Sequence, residues 1–357
     1  MPKRHRPGTT STSVVAHIEE IVLATSGEDA FELVLAAAAA RVTERTIAAA
    51  AKAHPELGIV VPRGEAAALA ARIDALLARA MPKGDTKLEA LDAVFEKLVP
   101  RVAKGDKGQF FTPRSVVDFV IRALAPRANE VVIDPACGSG AFLAHARAHT
   151  KKVRAFGTDV DPRAVRVARL VAIAQGRGSE TIARRDGLRG GALPPANVIA
   201  TNPPFAGRAA ADGFAIGDLV RTPERDLLFL ERSLDLLAPG GRLGIVLPYN
   251  KAAGAAYAGV RRWLFERARV LAVVGLPRET FLPHTSQRTF VLFAKKRTKG
   301  EARRDDERTL FVVSERAGKD AGGAPIFRAN GGQALDHDLD DALATLQPFL
   351  AKEGFAR

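Results

Sequence analysis

The spacing of hydrophobic positions changes character near residue 107 of the 357-residue chain. Before that point apolar residues recur every three or four positions, the period that buries one face of a helix. Ser26 with Asp29 resembles a capping box, and Phe31, Val34, Leu35, Val42 and Ile47 follow on a helix that should stop before Pro55. Glu65 to Ala80 repeats the pattern, with Leu69, Ile73, Leu76 and Leu77 on one face, until Pro82 and Gly84 break it. A further helix is expected from Lys87 to Val99. This predicts a basic, disordered tail over 1–12 and an all-helical domain over 13–104, whose plainest role is that of a scaffold.

From Lys107 short apolar runs alternate with amphipathic segments, the mark of a doubly wound α/β domain, here placed at 105–297. Strands are expected at Glu130 to Ile133, Val153 to Thr158, Thr181 to Arg184, Ala196 to Ala200, Arg242 to Leu247, Val270 to Leu276 and Thr289 to Ala294. Helices are expected at Arg114 to Leu124, from Ala141, at Asp226 to Leu237 and at Ala255 to Arg267, with a turn at Pro239-Gly240-Gly241. Residues 298–357 read as a charged, exposed loop, one further strand at Leu310 to Val313 and a helix from Leu335 to Leu350.

Candidate chemistry gathers where these strands end. Asn202-Pro203-Pro204-Phe205 follows the fourth strand, and neither proline can donate to a ladder. A stiff, exposed turn is expected there. The Asn202 side-chain oxygen and the Pro203 carbonyl can hold an exocyclic amine, and Phe205 offers a face to a planar ring. The competing description is a Pro-rich connector with a buried Phe. After the first strand, Asp134-Pro135-Ala136-Cys137-Gly138-Ser139-Gly140 leads into a helix. Gly138 and Gly140 let a ligand approach the backbone. No Gly-Lys-Ser/Thr follows, and Asp134 would repel phosphate but attract an ammonium, which favours an amino-acid-bearing nucleoside. Asp159 ends the second strand, about twenty residues past the glycine turn, as expected of a ribose ligand, while Asp161 before Pro162 suits a helix cap. Asp186 before Gly187 is either an acceptor for an adenine amino group or a turn residue.

Composition narrows the setting. A net charge of +13 points to a polyanionic partner, or to an Arg-rich, Ala-rich bias without function. The single cysteine, Cys137, permits no internal disulfide and fits a reducing cytoplasm. No metal-ligand spacing is present, and no apolar stretch is long enough to span a bilayer.

Together, Gly108-Gln109-Phe110-Phe111-Thr112-Pro113, Asp134 to Phe142, Gly157 to Pro162, Asn202 to Phe205, Pro239 to Arg242 and Phe281-Leu282-Pro283 with Thr285 resemble, in order, the adenine-N6 DNA methyltransferases. The likeness is strongest to the modification subunits of type I restriction systems. It implies a Rossmann-like methyltransferase domain, preceded here by the helical domain, with S-adenosylmethionine as methyl donor and no metal. Thr112, Ala136, Gly138 and Gly140 would surround the methionine end, with Asp134 near its amino group. Asp159 would hold the ribose, Asp186 the adenine, and Phe229 would pack on that adenine. Asn202, Pro203, Pro204 and Phe205 would form the catalytic turn for a flipped adenine in DNA. Family members that act alone carry their own target-recognition domain. Fewer than seventy residues follow Thr289, so the resemblance implies a separate specificity subunit and room for a restriction subunit. An RNA or protein-glutamine methyltransferase shares the Asn-Pro-Pro-aromatic turn but lacks the Gly-Gln-Phe-Phe-Thr-Pro loop. A non-catalytic scaffold subunit would need none of the turn's residues.

Overall fold

The computed structural model describes residues 17, 18, 20, 21, 27–80, 91, 95 and 112–355, without 180, 192, 206 and 330–333. The expected tail over 1–12, the loop residues 108–111 and all of the expected helix over 87–99 except Leu91 and Phe95 lie outside these; Leu91 and Phe95 are helical and buried. In chain order the elements are α1 (Gly27–Thr43), α2 (Ile47–Ala53), α3 (Glu65–Ala80), α4 (Arg114–Leu124), β1 (Val131–Asp134), α5 (Ala141–His149), β2 (Arg154–Asp159), α6 (Pro162–Ala174), β3 (Ile182–Arg184), β4 (Ala196–Thr201), α7 (Arg225–Leu236), β5 (Leu237–Pro248), α8 (Asn250–Ala253), α9 (Ala258–Arg267), β6 (Ala268–Gly275), β7 (Thr289–Lys296), β8 (Leu310–Val313) and α10 (Leu339–Lys352). They fall into two compact units. The first takes the chain up to Asp106 with Gly138–Gly140 and Asp161–Ile182, and the second takes the rest.

In the first unit the helix expected to run unbroken toward Pro55 is interrupted after Thr43. Glu44 turns left-handed (φ 54°), and the Arg45 and Glu44 amides bond back to the carbonyls of Ala40 and Arg41. This is the pattern that closes helices when a residue past the end adopts a left-handed conformation. Thr46 then starts α2, its side chain accepting from the Ala49 amide. The Arg41 guanidinium grips the Asp74 carboxylate on α3 through Nε (3.1 Å) and Nη2 (2.7 Å). Asp161 caps α6, as its place before Pro162 predicts, by accepting from the Arg163 amide. Arg166 on α6 ties the unit together: it meets both Glu32 oxygens at 2.6 and 2.8 Å and the carbonyls of Leu57 and Gly58.

The second unit is built on an eight-stranded sheet of order β3-β2-β1-β4-β5-β7-β6-β8. β2, β1, β4 and β5 pair in parallel, β7 lies antiparallel between β5 and β6, and β8 is parallel to β6. The chain steps outward from β1 to β2 and β3, then returns to the other side of β1 as β4. The carboxyl ends of β1 and β4 therefore flank a topological switch point, where open α/β sheets place ligands. This is the Rossmann-like, doubly wound α/β class that the alternating pattern predicts. Leu227, Leu228, Phe229 and Leu230 of α7 with Trp263 and Leu264 of α9 join Ile133, Ile199 and Ile245 in one buried cluster. α4 lies against β5 because position 244 is glycine: a Cβ there would come within 2.9 Å of Leu124 and 3.0 Å of Val120.

Three local expectations change. The Pro239-Gly240-Gly241 turn lies within β5, where Gly240 is left-handed (φ 77°) and the pairing with β4 shifts register. α10 runs over Leu339–Lys352 instead of starting at Leu335. The 295–308 stretch is not uniformly exposed. Arg297 is buried, donating to both Glu307 oxygens (2.7 and 2.6 Å) and to the Phe265 carbonyl. A charge pattern does not distinguish a solvated loop from one folded over its own ion pair.

That pair makes a stability prediction. Glu307→Ala removes both short bonds and leaves the buried guanidinium only the Glu301 carboxylate at 3.6 Å, which should cost up to about 3 kcal/mol. The double change Arg297→Met with Glu307→Leu should cost clearly less. Urea midpoints of the three proteins measure both, and a Glu307→Ala protein as stable as the parent would contradict the burial.

Candidate active site

Parallel pairing of Val132 with Val198 and Ile133 with Ile199 brings the ends of β1 and β4 side by side. β4 is buried apart from Asn197, whose side-chain oxygen accepts from the Val131 amide (2.9 Å), which explains a polar residue in an apolar run. At the shared edge Thr201 donates its hydroxyl to Asp134 Oδ1 at 2.6 Å, and the Ala136 amide donates to the same oxygen at 3.1 Å. Asp134 is 1 % exposed. Burial raises its pKa from 3.8 to about 7; the bonds from Thr201 and Ala136 oppose that rise and the Asp159 charge adds to it.

Asn202 comes next along the chain. Its Nδ2 donates to Thr112 Oγ1 at 2.9 Å, while its Oδ1 is buried without a hydrogen-bond partner. An unpaired buried acceptor is costly, and a donor brought by a ligand would relieve that cost. The turn differs from the exposed one expected. Pro203 is buried, Pro204 half-buried, and Phe205 only 3 % exposed. Phe281, itself buried, meets the Phe205 ring edge-to-face (centroids 5.5 Å apart, planes at 84°). Phe205 is thus not an open platform in this conformation, because a residue about seventy-six positions away covers it, and no local spacing reveals such a contact.

The remaining candidates divide. Asp159 ends β2, half-buried, and its backbone carbonyl accepts from the Arg185 amide. Asp186 Oδ1 accepts from the Leu188 amide, so the turn role is realised. The turn is packed tightly: a Cβ on Gly187 would fall 1.8 Å from the Pro135 carbonyl oxygen and 3.1 Å from the Phe229 ring. Asp134-Pro135, Asp186-Gly187 and Phe229 are therefore neighbours. Gly138 and Gly140, in the first unit, are both left-handed (φ 51° and 83°), and a Cβ on Gly138 would meet nothing within 4 Å. Burial pushes the Cys137 thiol well above its ordinary pKa, which leaves it a poor nucleophile.

Sequence reasoning missed Thr201, although a hydroxyl closing an apolar strand beside a candidate site was a signal. It also missed a buried polar cluster beyond the turn. Lys251 Nζ lies 2.9 Å from Glu224 and 3.6 Å from Asp226, and Tyr257 bridges Lys251 and Glu224 through its hydroxyl. Burial raises Asp226 to about 7 despite Lys251. The backbones of Arg208 and Glu224 form an isolated antiparallel β-bridge, and the Arg225 amide bonds to the Gly207 carbonyl. The cluster thereby pins both ends of the segment that leaves the Asn202–Phe205 turn.

Two predictions follow from this packing. The folded protein holds a proton on Asp134 that the unfolded chain has lost, so this group's contribution makes stability fall as pH rises from about 4 to about 7 and then level off. Asp134→Asn should flatten that decline, and urea midpoints between pH 4 and 8 test it; parallel profiles for the two proteins would refute the shift. Gly187→Ala should destabilise the fold by at least about 1–3 kcal/mol, because the Pro135 backbone cannot yield cheaply. Thermal unfolding at the parent's temperature would disprove the contact.

Known proteins bear on this arrangement. The family described as N-6 DNA Methylase matches residues 87–324. The type I restriction enzyme EcoKI methylase subunit of Escherichia coli (strain K12) is 30% identical over 228 residues, which are 57% of this chain and 43% of that protein. The type II methyltransferase M.CvrRI of Paramecium bursaria Chlorella virus XZ-6E is 26% identical over 209 residues, 58% of this chain and 53% of its own length. The chain thus spans roughly half the length of these relatives or less. Among solved structures, the type I restriction-modification system methyltransferase subunit from Streptococcus thermophilus shares the fold, with a TM-score of 0.62 and 17% identity over 99% of this chain and 79% of that one. The family match covers well over half of the chain and contains every residue of the Asp134–Asn202 edge, and the chain belongs to the N-6 DNA Methylase family.

Proposed function

We propose that the chain is the methyl-transferring part of an adenine-N6 DNA methyltransferase and works as the modification subunit of a restriction-modification or related defence system. The observation that carries this reading is the buried, unpartnered Asn202 Oδ1 at the switch point. It is an acceptor built into a site and awaiting an N–H. The Pro203 carbonyl is the second acceptor.

The residues present fit S-adenosylmethionine. Asp134, buried and held near neutrality, gains a counter-ion when an ammonium approaches. Left-handed Gly138 and Gly140 expose backbone at the turn after β1. Thr112, Ala136, Gly138 and Gly140 are assigned to the methionine end with Asp134, Asp159 to the ribose, and Asp186 and Phe229 to the adenine. When bound, the cofactor supplies an electrophilic methyl group on a sulfonium.

The chain's own residues then supply positioning. The N6 lone pair of adenine is delocalised into the ring. Asn202 Oδ1 and the Pro203 carbonyl, accepting its two hydrogens, turn that lone pair out of conjugation. The N6 proton lost after transfer passes to solvent, and no strong base is required. Preorganised acceptors of this kind act in the transition state without reorganisation. The target must leave the duplex, at a cost of a few kcal/mol. Stacking on Phe205 requires the surface over its ring to open on substrate binding.

DNA is the proposed substrate, in keeping with the net charge of +13 and with Arg208, Arg221 and Arg225 in the segment after the catalytic turn. A separate specificity subunit, and with it a restriction subunit, are the proposed partners, since the relatives matched include type I methylase subunits. Among the described residues no helix is long and apolar enough to cross a membrane. The cytoplasm is the proposed setting.

The test is tritium transfer from labelled S-adenosylmethionine to DNA with the specificity partner present. Asn202→Ala should bind cofactor almost as the parent does by calorimetry, yet transfer methyl roughly 10²-fold more slowly or worse. Equal transfer by the two proteins, or a product other than N6-methyladenine, sinks the assignment and turns attention to RNA or protein amides.

A further inference from the structure

An asparagine amide can present either of two chemically opposite ends to a substrate. Only the oxygen accepts from an amine; a rotation of half a turn about the last bond presents a second donor instead. The proposed function therefore requires something that tells the two ends of Asn202 apart. Thr112 is the residue whose hydroxyl meets the amide, with Nδ2 donating to Oγ1 at 2.9 Å and Oδ1 left facing inward.

We propose that Thr112 is a positioning residue for the transfer, and that its hydroxyl commits the Asn202 amide to the acceptor orientation when the cofactor is bound. This rests on the reading of the site given above. A hydroxyl has one hydrogen and two lone pairs. If its hydrogen is uncommitted it can serve either end of the amide, donating to Oδ1 or accepting from Nδ2. Once a ligand acceptor takes that hydrogen, only the lone pairs remain for Asn202. Nδ2 must then point at Thr112 and Oδ1 at the substrate amine. The methionine end of S-adenosylmethionine, to which Thr112 is assigned, carries a carboxylate able to take the hydrogen. The catalytic acceptor is thereby set by occupancy of the neighbouring pocket.

The frame around the pair is stiff enough for this. Thr112 precedes Pro113, which fixes its own φ and restricts the residue before it. Pro113 caps α4, whose Val116, Val117, Phe119, Val120, Ile121 and Leu124 are buried. Gly244 admits Val120 and Leu124 against β5. On the other side, Thr201 next to Asn202 is anchored by its bond to Asp134. One hydrogen bond thus joins Thr112, two residues before α4, to Asn202, and a second joins the adjoining Thr201 to the carboxylate that ends β1.

The experiment uses the full chain labelled with 15N-asparagine, with Asn202→Ala identifying the Asn202 side-chain signals. Spectra are taken free and with S-adenosylhomocysteine, and single-turnover transfer is measured at saturating S-adenosylmethionine with the specificity partner. Thr112→Val keeps the shape and removes the hydroxyl; Thr112→Ser keeps the hydroxyl. In the parent and in Thr112→Ser the ligand should shift and sharpen the Asn202 amide pair, and transfer rates should agree within about threefold. In Thr112→Val the pair should already be altered in the free protein, should not respond to ligand, and transfer should fall about tenfold or more. Two results overturn the proposal: unchanged amide signals and rate in Thr112→Val, or a Thr112→Ser protein as impaired as Thr112→Val. If Thr112→Val fails to bind ligand, the parent and Thr112→Ser decide: an Asn202 amide pair that does not respond to ligand in either protein overturns the proposal. Failure of the underlying reading looks different: Asn202→Ala would then transfer as well as the parent, whatever position 112 carries.

Discussion

The register of β1 against β4 is the constraint on which the site depends. Val132 and Ile133 face Val198 and Ile199 in parallel, so the two strands end together, and Asp134 comes to lie beside Thr201. One hydrogen bond of 2.6 Å joins the acid that ends β1 to the residue before Asn202. A slip of one residue would turn the side chains of the slipped strand to the opposite face of the sheet. It would part the acid that ends β1 from Thr201 and from the neighbouring amide. The apolar residues that hold this register, Ile133 and Ile199 among them, belong to the core shared with α7 and α9, so core packing and site geometry are one problem.

The second unit manages buried charge in two different ways. Away from the site, two buried arginines are each held by a carboxylate and by backbone carbonyls. Arg242 donates to both Glu130 oxygens and to the carbonyls of Leu124 and Ala125, and Arg297 does the same with Glu307 and Phe265. At the carboxyl edge the pairing is left incomplete. Asp134 has a buried carboxyl with two neutral donors and the like charge of Asp159 nearby, and Asn202 has a buried oxygen with no donor. Such groups cost stability unless something completes them. In the proposed reading an amino acid moiety would complete the first and an exocyclic amine the second, so polar groups that weaken the ligand-free fold would suit a methyltransferase.

The tight packing of Gly187 on Pro135 and Phe229 has a similar double meaning. Glycine there lets the loop after β3 reach the β1 turn, and so brings Asp186 near Asp134 across β2, the strand that separates β3 from β1. The polar cluster of Glu224, Asp226, Lys251 and Tyr257 performs a comparable service on the other flank. It closes the arginine-bearing segment between Gly207 and Arg225 into a loop with fixed ends. Fixed ends with an exposed middle suit a surface that must meet a polyanion and adjust to it.

Much was legible in the residues alone. Helix α4 and strand β8 fall where the pattern of apolar positions puts them, as does α3, because these depend on spacing within one segment. Asp161 before Pro162 reads as a cap because a cap is a local bond. The clustering of Asp134, Asp159, Asp186 and Asn202 at strand ends follows from strand-turn-helix order, since parallel strands send their carboxyl ends to one edge. What the linear chain did not determine is which side chains meet across that edge. Phe205 is covered by Phe281, the Asn202 amide is held by Thr112, Asp134 accepts from the Thr201 hydroxyl, and buried Arg297 donates to the Phe265 carbonyl. Each of these joins segments that are distant in sequence or on different strands. Their partners are chosen by the twist and register of the sheet and by the volume left between helices. A run of residue types carries the period of its own element, and only the folded chain decides what that element touches.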